Sequence, residues 1–186
     1  YRGRFVQDLD FLGYDVYPFF VAEPKQRNAA HAFNMDRTRS FSGNVLIAEH
    51  QSGPGGQNHY SLTSPEPGEL RLITWRTIAR GADSLLYFRW RSCRFGAEQY
   101  WRGIIEHDNV PRSRYHEVAR VGKELEKVGP GILNTSVGCD CAIATGDYDA
   151  RESHTIYPMS LPKPDTAAEE MHRWFYERRY NVGCIH

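Results

Sequence analysis

A carboxylate held by a stiff apolar strand can attack an electrophilic carbon, and Glu49 stands where such a strand would hold it. The run Val45-Leu46-Ile47-Ala48 leads into Glu49-His50, followed by the glycine-rich Ser52-Gly53-Pro54-Gly55-Gly56. Two other short apolar runs end in the same style. Phe11 to Tyr17 closes on Asp15, Tyr17 and Pro18, while Ser84 to Phe88 opens into Arg89-Trp90-Arg91 and then Glu98. Acids among aromatic rings suit a sugar site, because rings stack on the apolar faces of a pyranose while carboxyl groups act on hydroxyls and the anomeric centre. Structural readings stand beside these. A strand-ending glutamate also pairs with arginine, and Arg89 and Arg91 beside a buried tryptophan also serve as ion-pair scaffolding at a barrel rim. The glycine run lacks the Gly-Lys-Ser/Thr ending of a phosphate loop. His107-Asp108 and Asp147-Tyr148-Asp149 read as turns, and Arg178-Arg179 as partners for the negative end of a helix.

These residues need strands behind them and helices between. The runs Phe11–Tyr17, Asn44–Ala48 and Ser84–Phe88 are continuous rather than alternating, which suits parallel strands covered on both faces. Asp15, Glu49 and Phe88 are 34 and 39 positions apart, room for one helical crossover each. Gln26–Arg39 is polar and alanine-containing, Glu69–Arg80 is amphipathic with Gly81 to end it, and Arg114–Val128 repeats Tyr115, Val118, Val121, Leu125 and Val128 at helical spacing. Ser113 is the expected N-cap of the last, and Gly129-Pro130 its stop. Beyond it a strand (137–144), a polar connection (151–164), a helix (166–180) and a strand from Asn181 form a second α/β unit. The domain boundary is therefore expected near Gly129-Pro130-Gly131, giving residues 1–129 and 130–186.

Composition narrows the function classes. In 186 residues, 23 Lys+Arg balance 23 Asp+Glu, so no cationic excess draws the chain to nucleic acid or to an acidic membrane. No apolar stretch approaches a membrane span, and Tyr1-Arg2-Gly3-Arg4 has neither a starting Met nor a signal segment. The chain reads as an internal piece. Cys93, Cys139, Cys141 and Cys184 lack the density of a disulfide framework and read as reduced, which points to the cytoplasm. Cys139 and Cys141, two apart in a strand, would share a face, but no second Cys/His pair joins them at zinc-finger spacing.

Taken in order, Tyr14-Asp15-Val16-Tyr17-Pro18, Leu46-Ile47-Ala48-Glu49-His50-Gln51-Ser52-Gly53, Tyr87-Phe88-Arg89-Trp90-Arg91 and Phe95-Gly96-Ala97-Glu98-Gln99-Tyr100 resemble the β-galactosidases of glycoside hydrolase family 42. The likeness extends through Ile105-Glu106-His107-Asp108 and Arg114-Tyr115-His116-Glu117-Val118. It implies the last three βα units of a (β/α)8 TIM barrel, followed by the start of a flavodoxin-like α/β domain used in forming a homotrimer. It also implies a retaining exo-glycosidase acting on terminal β-galactosides without a cofactor. Glu49 falls on the family's nucleophile, Glu98 on a residue binding sugar hydroxyls, and Asp15 and Phe88 on positions lining the sugar subsite. A structural zinc site, where the family has one, would belong to the barrel's first half.

A retaining glycosidase needs two carboxyl groups about 5 Å apart, one attacking the anomeric carbon and one protonating the leaving oxygen. The family's acid/base follows an asparagine at the end of strand four, and this chain has no Asn-Glu dipeptide. Two departures bear on specificity. Gln57 stands where the family usually carries a tryptophan, with Tyr60 the nearest aromatic, and Trp101 replaces a usual histidine. Trp101 would add a stacking surface for the sugar. The same departures allow a second reading, a carbohydrate-binding or sensing protein that kept the fold and lost catalysis. Three strands cannot close a barrel that takes about 250 residues, so the isolated chain is expected to expose a strand edge and to aggregate or remain partly molten.

Overall fold

The computed structural model describes residues 6–21, 23–57, 60–145, 153–157 and 159–185. Tyr1 to Arg4, Asp147-Tyr148-Asp149 and parts of the 151–164 connection lie outside them. Three parallel strands form the principal sheet: β1 (Leu12–Val16), β2 (Val45–Gln51) and β5 (Ala82–Phe88), in the order β1-β2-β5. Helix α1 (Pro24–Ser42) joins the first pair. A short antiparallel hairpin, β3 (Gly55–Gln57) with β4 (Tyr60–Leu62), and helix α2 (Glu69–Ala79) join the second. Helix α3 (Ser113–Ile132) follows the long loop after β5. The chain then adds strand β6 (Cys141–Ala144), helix α4 (Pro164–Glu177) and strand β7 (Val182–Ile185), with β6 and β7 parallel.

All three apolar runs are parallel strands, with two adjustments. Strand β2 does not release Glu49 into a loop but continues two residues past it, because His50 and Gln51 pair with Tyr87 and Phe88 of β5. The glycine-rich segment, expected to be irregular, supplies β3 instead. The main core gathers Val16, Phe19, Met35, Val45, Ile47 and Ile73, so the strands bury their apolar side chains against α1 and α2. A second core joins Phe33 of α1 to Ile143, Ala168, Val182 and Cys184. Helix α1 is therefore covered on both sides.

Helix ends follow local chemistry. The Glu23 carboxylate accepts from the Gln26 amide at the start of α1. Glu117 of α3 accepts from the amides of Gly68 and Arg71 at 3.1 and 2.6 Å, satisfying donors at the start of α2 from a neighbouring helix. Gly81 ends α2 at φ +88°, where a side chain would also meet Arg39. The expectations for α3 need correction. Arg112, not Ser113, occupies the N-cap without a side-chain bond, and the helix runs through Gly129 and Pro130 to Ile132. Proline lacks one N–H, and in the last turn that omits a single helical bond; the Leu133 amide still reaches the Gly129 carbonyl at 2.9 Å.

Candidate functional site

Register brings the acids together. Along β1 and β2 the pairing runs Leu12 with Val45, Gly13 with Leu46 and Tyr14 with Ile47, then jumps so that Asp15 faces Glu49 and Val16 faces His50. Ala48 is the extra residue of a bulge, a device that re-aims a neighbouring side chain. Without it Asp15 would lie opposite Ala48. Glu49 is half-buried and Asp15 more open. The partial withdrawal of Asp15 from water, and then the charge of Glu49, raise its pKa above the usual carboxylate value.

The residues after Glu49 are spent on fixing the backbone. Gln51 donates to the carbonyl of Gly53 at 3.0 Å and Ser52 to that of Phe88 at 2.7 Å. The His50 ring is fully buried against Tyr87, at a centroid distance of 5.2 Å, and burial pushes its pKa down to about 4. It is a neutral structural group.

Tyr17 is the residue around which the others meet. Its hydroxyl donates to Glu49 Oε2 at 2.6 Å. Its ring makes edge contacts with Trp101 at 5.0 Å, Phe20 at 6.3 Å and Phe88 at 6.5 Å between centroids. Burial, the bond to Glu49, and the charges of Glu49, Asp15 and Glu98 all raise the phenol pKa, so Tyr17 stays a proton donor at any working pH. Sequence reasoning named Tyr17 as a strand-end residue but not as the partner of Glu49. The available signal was its place two residues after Asp15, directly past the end of the strand adjacent to β2.

The other expected site residues can be placed around it. Phe88 ends β5, 6.0 Å from the Trp101 ring, and its peptide bond to Arg89 is cis. Glu98 is ion-paired with Arg89, whose guanidinium lies 4.5 Å from the Phe88 ring centroid. Trp101 is only 9% exposed. A Cβ built on Gly55 would fall 2.1 Å from Trp101 Cε3, so the indole lies against the bare backbone of β3. Gln57 and Tyr60 pair in register across the hairpin.

Further out, Arg91 donates to the His107 carbonyl at 3.1 Å, and Trp90 is 60% exposed, not the buried tryptophan of the scaffolding reading. Glu106 is bound by Arg114 and by Ser92, at 3.0 Å from the latter; these contacts lower its pKa despite partial burial. It braces the loop between β5 and α3. Asp108 pairs with Arg112 in a turn. Among the described residues no group of three or more His, Cys, Asp or Glu side chains is arranged to hold a metal ion, and no helix is long and apolar enough to cross a membrane.

Comparison with known proteins agrees with this architecture. The sequence profile of the glycoside hydrolase family 42 β-galactosidases matches residues 2–128. A β-galactosidase of Thermus thermophilus is 36% identical over 168 residues, 82% of this chain and 25% of the relative. The β-galactosidase BgaA of Clostridium cellulovorans is 33% identical over 140 residues, 74% of this chain and 21% of the relative. Among solved structures, a catalytic mutant of Gan42B, a family 42 β-galactosidase from G. stearothermophilus, superimposes with a TM-score of 0.86 at 28% identity, covering 98% of this chain and 28% of that one. The fold is that of a barrel glycoside hydrolase: part of a (β/α)8 barrel, followed by a second parallel α/β unit. The chain belongs to the glycoside hydrolase family 42 β-galactosidases. It spans about a fifth to a quarter of the length of these curated relatives.

Proposed function

We propose that this chain is the nucleophile-bearing segment of a retaining β-galactosidase. Glu49 attacks the anomeric carbon of a terminal β-galactoside through one carboxylate oxygen, while the other stays bound to the Tyr17 hydroxyl. The glycosidic C–O bond breaks, and the leaving oxygen takes a proton from an acid/base glutamate contributed by another part of the enzyme. Water, deprotonated by that same residue, then cleaves the glycosyl ester and regenerates Glu49. Asp15 and Glu98 bind sugar hydroxyls, Glu98 oriented by Arg89, and Phe88 gives the subsite its apolar lining; Trp101, expected to stack on the sugar, packs against Tyr17 and Phe88. No cofactor takes part.

The observation that carries the reading is the 2.6 Å bond from Tyr17 to Glu49, at the meeting point of two parallel strands. A phenol held in its protonated form orients the carboxylate without neutralising it. A glutamate serving only as scaffold would be expected to pair with arginine, and the partner here is a tyrosine. The proposal extends to the whole protein: residues 130–186 open a second domain that supports a homotrimer, and the enzyme is cytoplasmic, consistent with four unpaired cysteines. The test is to assay the complete polypeptide on an aryl β-galactoside. Glu49→Gln should lower kcat on the order of 10⁴-fold or more while leaving the fold intact. Retained turnover in that variant would refute the assignment.

A further inference from the structure

We infer that Trp101 is a positioning residue for the nucleophile, acting through Tyr17, and that Gly55 exists to make room for it. The inference rests on the reading of Glu49 as nucleophile and revises the place of Trp101 within it. A tryptophan that stacks on sugar must offer a free face, yet Trp101 is 9% exposed. Its indole meets the backbone of Gly55 and the rings of Tyr17 and Phe88. Its contact with Tyr17, at 5.0 Å, is shorter than those of Tyr17 with Phe20 and Phe88. Edge-to-face pairs of this kind have a defined geometry, so the indole limits where the phenol ring can lie. The phenol in turn fixes which way the Glu49 carboxylate points.

The support behind Trp101 is rigid. The Trp101 amide bonds to the Glu98 carbonyl at 3.0 Å, Arg102 N–H to the Pro54 carbonyl at 2.9 Å, and Ile104 N–H to the Arg89 carbonyl at 2.8 Å. Gly103 packs so tightly that a Cβ there would lie 2.7 Å from the Arg91 backbone. Gly55 belongs to β3, paired with Leu62 of β4, so the hairpin forms a fixed wall against the indole. Wall, indole, phenol and carboxylate form one chain of contacts. The glycine run that resembles no phosphate loop thus has a physical use: a side chain at position 55 would displace the indole that packs against Tyr17.

The experiment is a set of variants of the complete enzyme, with kcat and KM measured separately on an aryl β-galactoside. Gly55→Ala forces the ring back by on the order of 1 Å, and kcat should fall about 10²-fold with KM changed less than about twofold. Trp101→Phe should lower kcat about tenfold, again with little change in KM. Adding Gly55→Ala to Trp101→Phe should cost less than about threefold more, because the smaller ring leaves room for the methyl group. In a Tyr17→Phe background, Trp101→Phe should have almost no further effect on kcat, since the hydrogen bond it supports is already gone. A Trp101→Phe variant that raises KM at unchanged kcat would make Trp101 a sugar-stacking residue and overturn the inference. So would unchanged kinetics with only a lowered melting temperature, or effects that simply add in the Tyr17→Phe background. If Glu49→Gln itself leaves hydrolysis intact, the nucleophile assignment fails; if it abolishes hydrolysis while the cycle is additive, only the role of Trp101 fails.

Discussion

Glu49 and Tyr17 show how differently two partners in one contact are written in a sequence. An apolar strand leading into a glutamate is visible in Val45-Leu46-Ile47-Ala48-Glu49, and it places the carboxylate on a strand of the parallel sheet, although β2 runs two residues beyond it. Tyr17 left no comparable mark, because its importance depends on the bulge at Ala48 and on which way a ring turns after a strand. Trp101 was legible as a departure in residue type, but its burial against Gly55 was not, since contact between residues so far apart is a tertiary fact. At this scale the prediction concerns the phenol. Tyr17→Phe removes one hydrogen bond to a charged group, worth about 1.5–3 kcal/mol. Without it the carboxylate is no longer held in its attacking orientation, so kcat on an aryl β-galactoside should fall about tenfold to a hundredfold, with KM nearly constant. Steady-state kinetics with an intact circular dichroism spectrum check it; an unchanged kcat would remove Tyr17 from the mechanism.

Helix α1 reads as polar and alanine-containing, yet much of it is buried, polar side chains included. Arg27, His31, Asp36, Arg37 and Thr38 are all buried. The reason is that the main sheet packs on one side of α1 and the β6-α4-β7 unit on the other, so its polar groups are matched by partners from other elements. Asp36, 1% exposed, meets Arg39 at 3.0 Å, His172 of α4 at 2.8 Å, and Arg80 at the end of α2. Arg37 pairs with Asp165 of α4 at 3.2 Å. No periodicity rule applied to α1 alone foresees this, because the unit that covers its second side begins only at Cys141. Asp36→Ala leaves several cationic or polar groups buried without their acceptor, and it should destabilise the protein by about 3–5 kcal/mol. A urea midpoint equal to that of the parent would show that the cluster contributes nothing to joining the two units.

Across the whole molecule, the three parallel strands and their crossover helices were legible because continuous apolar runs, helical spacing and the Gly81 stop agree with one another. What the residues left implicit was the long-range matching: the bulge, the hairpin wall, and the second α/β unit resting on α1. The same burial sets the response to acid. His31 is pushed down to about 3 and His50 to about 4, chiefly by burial and, for His31, also by the charges of His50, Arg76 and Arg80. The unfolded chain binds these protons near pH 6.5, so the stabilisation is complete above that value and is lost as pH falls toward 4 and then 3. Urea midpoints for the complete protein should therefore be lower at pH 5 than at pH 7, and a pH-independent midpoint over that interval would contradict the burial of the two imidazoles. The central claim concerns one bond, the ester between Glu49 and an anomeric carbon. It is tested most directly by incubating the complete polypeptide with a fluorinated galactoside that forms the glycosyl-enzyme quickly and releases it slowly, then mapping the added mass by peptide sequencing in a mass spectrometer. The account predicts one fluorogalactosyl group on Glu49; a label on any other residue, or none despite turnover of the unfluorinated substrate, would contradict it.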